Sequence, residues 1–178
     1  MIESFFKQRL LARNDMLTKT VQILLISLLH IYLSCGFSAN TLVHVPSGYK
    51  AIQDLRVGYL VTGINKDNKL VTTYVSHVTM QRDKEHIQLT IDDQKIVVAR
   101  SQKLLNTDNN RWVKAKKLKV GDKIRIARSP GIAKITRFNE YTHGSTLYDI
   151  RLEDDHVFCI TDKAIVVHNC GLFVVGLV

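Results

Sequence analysis

Three consecutive residues near the carboxyl end of the chain, His168, Asn169 and Cys170, carry side chains that together could break a peptide bond. The side-chain amide of Asn169 stands at the distance from its own main-chain carbonyl that lets a five-membered succinimide ring close. An imidazole such as that of His168 has an ordinary pKa of about 6.5, so near neutral pH it can accept or donate a proton. The thiol of Cys170 could accept an acyl group. A polar turn that closes a strand is the alternative interpretation.

The chain contains three cysteines, Cys35, Cys159 and Cys170, at wide spacing. An odd number at this spacing predicts neither a disulfide framework nor a metal site. Cys159 stands in the alternating run 156–160, which favours a buried thiol in the core. The sequence therefore predicts no cofactor and no bound metal.

The elements that must position these residues are predicted to be β-strands. After Asn40 the apolar residues recur with a period of two, and turn signals rich in Asp, Asn, Gly and Pro separate the runs. With 178 residues, 46% of them hydrophobic and 23% charged, the chain has the length and composition of one globular domain with a short tail. Many short strands with regular turns predict an all-β fold.

One internal repeat suggests that this domain has two similar halves. Residues 55–61 and 118–124 share the pattern Leu, basic residue, Val, Gly, two variable residues and an aliphatic residue. A repeat of this size in a β domain predicts two halves related by a pseudo-two-fold axis. Coincidence is the alternative, since glycine turns between strands are common.

The amino-terminal part of the chain has the pattern of an export signal. No Asp, Glu, Lys or Arg occurs from Thr20 to Tyr49, and four basic residues precede a strongly apolar run there. This pattern predicts a signal peptide or membrane anchor over residues 1–34, formed as an apolar helix, with a membrane contact through residues 16–36. Translation starts at Met1 or Met16, and a buried helix is the alternative. The predicted location is secreted or membrane-associated.

The formal net charge of +9 raises the question of an anionic partner. Most lysines are scattered, which favours a solvated basic surface, a monomer and no specific nucleic acid. A basic β-barrel that binds nucleic acid is the competing interpretation, and it requires basic and aromatic residues on one face. The aromatic residues instead fall mostly at alternating, core-like positions: Phe37, Tyr74, Trp112, Tyr148 and Phe158.

Four blocks of the sequence, in order, resemble the Hint (Hedgehog/intein) domain. The blocks are an opening block at 37–58, a middle block at 111–122 and two closing blocks at 147–158 and 165–170. The closing blocks, which end in His-Asn-Cys, are the most specific. The resemblance covers residues 35–170 and leaves residues 171–178 as an apolar stub. It implies a horseshoe of β-strands built from two pseudo-symmetric halves, in agreement with the internal repeat.

The resemblance implies self-catalysed cleavage or splicing of the peptide bonds at the two ends of the domain. The substrate is then the chain's own flanking polypeptide, and the domain turns over once rather than acting as a turnover enzyme. By resemblance, His156 assists the attack of Asn169, and His168 polarises the scissile carbonyl or protonates the leaving group. Cys170 is the acyl acceptor of full splicing, and Cys35 is the first nucleophile. Bacterial relatives of this type often precede toxin segments in secreted proteins.

The sequence departs from the family pattern at its amino-terminal end. Counting back five residues from Thr41 gives Gly36 where the family has its nucleophile, and Cys35 is one residue early. Either Gly36 is an insertion and Cys35 still attacks, or the first step is lost. In a further block of the family, Thr-x-x-His, the matching residues here are 99–102, so Gln102 stands where the family carries a histidine. Tyr59 replaces the Asp expected after Gly58. These departures favour cleavage at Asn169 without splicing, and the alternative is a decayed Hint domain that serves as a structural or interaction module.

Overall fold

The computed structural model describes Lys19 and residues 35–83, 85–128, 131–153 and 156–169. Contacts divide the chain into two units, residues 1–33 and 34–178. Apart from Lys19, the predicted signal or anchor segment 1–34 lies outside the described residues, as do Cys170 and the predicted stub 171–178. Within the described residues, no helix has the length and apolar character needed to cross a membrane.

The described part of the second unit is built almost entirely of strands, which confirms the all-β prediction. The strands are β1 Phe37–Ser38, β2 Leu42–Val45, β3 Gly48–Ala51, β4 Leu60–Ile64, β5 Leu70–Asp83, β6 His86–Ile91, β7 Gln94–Ala99, β8 Lys103–Asn106, β9 Arg111–Lys114, β10 Lys123–Arg125, β11 Ile132–Tyr141, β12 Ser145–Leu152, β13 Val157–Ile160 and β14 Ile165–His168. Two short 3-10 helices, Ile52–Asp54 and Ala115–Lys117, complete the regular structure of the described residues.

The strands pair into one sheet whose order places the two ends of the domain inside it. The order is β14-β8-β10-β11-β6-β7-β1-β12-β5-β4-β13-β2-β3, with β9 paired to β8 and β13 also paired to β14. The short first strand lies between β7 and β12, where Phe37 pairs with both Val98 and Tyr148. The last strand lies between β8 and β13. Both ends of the described domain are therefore held by antiparallel neighbours on two sides.

The internal repeat is a repeat of structure as well as of sequence. A 3-10 turn directly precedes each copy, and the N–H of Leu55 or Leu118 donates back to the first residue of that turn. Gly58 and Gly121 follow with φ of +85° and +101°, a conformation that favours glycine. Their N–H groups donate to the carbonyls of Val75 and Ile135, each at 2.8 Å. Matching hydrogen bonds in both copies confirm the prediction of two similar halves.

The core lies where strands from both halves meet. Phe37 and Phe158 are fully buried, and their rings pack edge to face with centroids 6.2 Å apart. Each fully buried side chain of this size contributes about 1.5–3 kcal/mol to stability. Cys159 follows Phe158 in the chain and packs in a second apolar cluster with Ile64, Ala164 and Val166. It is a free, fully buried thiol, and burial raises its pKa to about 12. The prediction of a core thiol at this position is confirmed.

Candidate functional site

The hairpin of β13 and β14 brings His156, His168 and Asn169 together. Both strands are apolar runs, and they end where Val157 pairs with His168. Beyond that pair, the N–H of Asn169 donates to the carbonyl of His156 at 2.8 Å. The rings of His156 and His168 are 5.7 Å apart between centroids. Three of the five predicted site residues are thus neighbours at one end of a buried hairpin.

The side chain of Asn169 is buried and has no polar partner. Its exposed fraction is 1%, and neither Oδ1 nor Nδ2 makes a hydrogen bond to any described residue. An unsatisfied buried polar group costs about 1–3 kcal/mol, so such groups are rare in folded proteins and call for an explanation. A catalytic role is one such explanation, because a side-chain amide without a hydrogen-bond partner is free to react.

His168 contacts the carbonyl group that Asn169 would attack. Its Nδ1 is in hydrogen-bonding contact with the main-chain oxygen of Asn169. A carbonyl oxygen only accepts, so this contact requires the tautomer with a proton on Nδ1. Burial lowers the pKa of His168, with further lowering from Lys103 and His156, although the Asn169 carbonyl opposes this. The ring is therefore neutral near pH 7, and Trp112 packs against it edge to face at 5.0 Å.

His156 has an unused ring nitrogen inside the site. Its Nδ1 is buried and makes no hydrogen bond to a described residue. A neutral imidazole nitrogen of this kind accepts or donates according to its tautomer. Together with Asn169, it gives the site two adjacent side chains with unsatisfied polar atoms.

Gln102 joins the two ends of the domain, a role that sequence reasoning missed. It is fully buried between β7 and β8. Its Oε1 accepts from the N–H of Gly36 at 3.1 Å, and its Nε2 donates to the carbonyl of His168 at 2.8 Å. One amide thus holds the start of β1 and the end of β14 together. It cannot shuttle protons as a histidine would.

Gly36 is required by its surroundings. Its φ is +128°, and a Cβ there would stand 2.6 Å from the carbonyl oxygen of Tyr148. Its own carbonyl accepts from the N–H of Ala99 at 2.9 Å. A side chain at this position would therefore clash with β12 in this backbone conformation.

Cys35 is buried and takes part in a disulfide bond. Its carbonyl accepts from the side chain of Gln81 at 2.6 Å. The expectation that the cysteines form no disulfide was wrong for this residue, because counting an odd number of cysteines does not show which one stays free. A disulfide sulfur is not a thiolate, so the assignment of Cys35 as first nucleophile stays a prediction that applies to the reduced chain.

Asp149 is a second residue that sequence reasoning left out of the site. It lies in β12 opposite the start of β1, where a Cβ on Gly36 would lie 3.4 Å from its main-chain nitrogen. Burial raises the pKa of its carboxyl group to about 7, although the N–H of Ile150 opposes the shift. A buried carboxyl with a strongly shifted pKa is typical of functional sites. The available signal was an Asp two residues after Leu147, on the same face of a predicted strand.

Replacing Asp149 with asparagine is expected to remove a pH-dependent loss of stability. Between the ordinary pKa of 3.8 and the folded value of about 7, the folded chain keeps a proton that the unfolded chain has lost. The free energy of unfolding therefore falls as pH rises through this window, by up to about 4 kcal/mol at about 1.36 kcal/mol per unit. Urea unfolding at pH 4.5 and pH 8 should show this difference in the wild type and not in Asp149→Asn.

The control for that measurement is Asp54→Asn, which removes an exposed carboxyl group in the first 3-10 helix. This variant should keep the pH dependence of the wild type. Equal pH dependence in the wild type and Asp149→Asn would show that Asp149 does not hold a proton in the folded chain.

A cavity of about 300 Å³ lies beside the hairpin. Its walls include Trp112, Val157 and Val166, together with polar residues such as Asn65 and Arg125. His156, His168 and Asn169 do not line it. The candidate site residues therefore lie outside the lining of this cavity.

Several solved structures of inteins and intein-like domains are similar to this chain. A bacterial intein-like domain from Clostridium thermocellum is 23% identical, with a TM-score of 0.71, and the match covers 75% of this chain and 98% of that one. A DnaB intein from Synechocystis is 23% identical with a TM-score of 0.66, covering 76% and 99%. The gp41-1 intein is 22% identical with a TM-score of 0.62, covering 76% and 98%.

These similarities span nearly the whole length of each solved structure. They confirm the predicted fold: the chain has the Hint fold of inteins and intein-like domains. No protein-family model and no curated protein sequence matches the chain. At these identities the comparison concerns the fold, and the roles of the individual site residues stay predictions.

Proposed function

We propose that this chain is a self-processing Hint domain that cuts its own backbone after Asn169, by cyclisation of that residue. The substrate is the domain's own flanking polypeptide. The observation that supports this most directly is the buried side-chain amide of Asn169, which has no hydrogen-bond partner among the described residues and lies beside two imidazoles. A structural hairpin has no need of an unsatisfied amide at its end.

The proposed reaction forms one carbon–nitrogen bond and breaks another. The Nδ2 of Asn169 attacks the main-chain carbonyl carbon of the same residue, and the bond from that carbon to the nitrogen of Cys170 breaks. His168 polarises the carbonyl, since its Nδ1 is already in contact with the oxygen. His156 takes the proton that Nδ2 loses, and this proton then goes to the leaving nitrogen. The products are a succinimide at the new carboxyl end and a segment that begins with Cys170.

Burial contributes to this chemistry in two ways. It keeps His168 neutral near pH 7, so that the ring donates to the carbonyl from Nδ1 and retains a lone pair on Nε2. It also fixes the reacting atoms, because Asn169 is held by its main-chain bond to His156 and the neighbouring His168 is held by Gln102. Positioning of this kind supplies a large share of the rate of intramolecular reactions.

Splicing is not part of the proposed function. The first step of splicing needs a thiol or hydroxyl at the amino-terminal end, and Gly36 occupies that position in a conformation that leaves no room for a side chain. The histidine that would protonate the first leaving group is replaced by Gln102. Thioester formation at Cys35 is therefore proposed to be slow or absent, even after reduction.

The same proposal places the domain in an exported or membrane-bound protein. The support is the apolar segment behind Lys19 in the sequence. Cleavage after Asn169 would then release the segment that begins with Cys170 outside the cytoplasm. Fractionation of cells that express the tagged full chain tests this, since a wholly cytosolic product with an intact amino terminus would contradict it.

A reporter fused after Val178 is expected to be cut from the domain. Intact mass of the purified, reduced fusion should show a fragment that begins at Cys170 and a domain that ends in a succinimide or its hydrolysis product. If the folded fusion stays whole for days near neutral pH, the chain is a decayed Hint domain with a structural or interaction role.

A further inference from the structure

The cavity beside the hairpin of β13 and β14 has an apolar wall that belongs to the packed interior. Its volume of about 300 Å³ is at the lower end of the range of small-molecule sites in proteins. The apolar wall consists of Ile64, Trp112, Ala127, Val157 and Val166. All five are members of the second apolar cluster or pack against it. Core packing therefore fixes the shape of this wall.

Polar side chains on the same cavity are suited to an anion. Lys66, in the turn after β4, and Arg125, the last residue of β10, both line it. Both are exposed, and neither forms an ion pair with another described residue. The side-chain amides of Asn68 and Asn110 also line the cavity and make no hydrogen bond to a described residue, so each can donate to an oxygen of a ligand.

No acidic side chain opposes these cations in the lining. The described residues that line the cavity include neither Asp nor Glu. Asp67, which follows Lys66 directly, is not among them. Two basic groups without acidic neighbours in the lining give the cavity a positive potential, which attracts anions and disfavours cations.

The turn that carries Lys66 has a fixed backbone. The side-chain oxygen of Asn65 accepts from the N–H groups of Asp67 and Lys69 at 3.0 and 2.9 Å. The N–H of Asn65 donates to the carbonyl of Lys69 at 3.0 Å. A backbone that is already ordered reduces the entropy lost when a ligand binds.

We propose that this cavity is the binding site of a small organic anion, in which a carboxylate or phosphate group is joined to an apolar chain or ring. The acidic group pairs with Lys66 and Arg125, and the apolar part packs against Trp112 and Val157. This inference goes beyond the proposed function, because none of the candidate site residues lines the cavity.

Binding is tested on the full chain through the fluorescence of Trp112, which is the only tryptophan and lies in the apolar wall. The probes are hexanoate and hexyl phosphate, titrated separately at constant ionic strength. At least one should change the emission saturably, and the tighter of the two shows whether the site prefers a carboxylate or a phosphate. Hexan-1-ol lacks the charge and acetate lacks the chain, so each should bind at least about tenfold more weakly.

Replacing either cation should weaken binding of the preferred probe. Lys66→Gln and Arg125→Gln remove the charge of exposed side chains, so both variants should fold as the wild type does. Each should raise the dissociation constant by about tenfold, the effect of losing one hydrogen bond to a charged group. Lys117→Gln, which changes an exposed lysine outside the lining, should leave the dissociation constant unchanged.

Saturation-transfer NMR of the methylene protons of each probe is the second measurement, since it detects binding that leaves the emission of Trp112 unaltered. Binding of neither anion in either measurement at millimolar concentrations would overturn the proposal. Equal affinity for hexanoate, hexyl phosphate and hexan-1-ol would do the same, as would unchanged affinity in both Lys66→Gln and Arg125→Gln. None of these readings depends on whether the chain cleaves itself.

Discussion

Asn169→Ala is expected to abolish cleavage outright. Alanine has no side-chain nitrogen, so no succinimide can form. The cleaved fraction of a reporter fusion should fall below detection over a period in which the reduced wild type cleaves completely. Intact mass is the measurement, because it also identifies the bond that breaks.

The stability of the same variant separates a chemical role from a structural one. Both polar atoms of the Asn169 side chain are buried without a partner among the described residues. Removing an unsatisfied group relieves a cost of about 1–3 kcal/mol, which offsets the small volume lost. Asn169→Ala should therefore unfold at a temperature no lower than that of the wild type, and a large destabilisation would show that the side chain is structural.

Two matched variants complete the test. Asn139→Ala removes an exposed asparagine on β11 and should cleave at the wild-type rate. Cys170→Ala should still cleave, because Cys170 supplies only a main-chain nitrogen to the reaction. Cleavage that persists in Asn169→Ala would point to another nucleophile and would contradict the mechanism.

The fold could be predicted from the sequence because its signals are local. Alternation of apolar residues and glycine turns such as Gly58 and Gly121 act within a few residues, and each was found in the structure as predicted. A local sequence pattern does not predict the burial of a side chain when that burial depends on strands distant in the sequence. Tyr74 was expected in the core, yet it is 52% exposed, because its face of β5 pairs with the exposed Leu60 of β4 rather than packing inward.

The candidate site could be predicted only in part, for the same reason. His156, His168 and Asn169 were identified because they are close in sequence and lie on one hairpin. Gln102 bonds to Gly36 and to His168, each of which lies 66 positions away from it in the sequence, and no local pattern reveals such contacts. The raised pKa of Asp149 and the disulfide of Cys35 likewise depend on strands that meet only in the folded chain.

His156→Ala and His168→Ala are each expected to slow cleavage by about 10²–10⁴-fold, the usual scale of general acid–base assistance. That range corresponds to about 2.7–5.4 kcal/mol of activation free energy. The two losses of rate have different causes. His168 contacts the carbonyl oxygen of Asn169, whereas His156 offers a buried nitrogen with no described partner to the proton of the attacking amide.

Because the two rings are 5.7 Å apart and serve one reaction, their losses should not add. The double variant should be slowed by less than the product of the single effects. Single-turnover cleavage of the reduced reporter fusion measures all three rates, and His77→Ala, which changes an exposed histidine on β5, is the control. Strictly multiplicative losses would mean that the histidines act independently. If neither change affected the rate of cleavage, then neither histidine would assist the reaction of Asn169. That result would contradict the proposed mechanism.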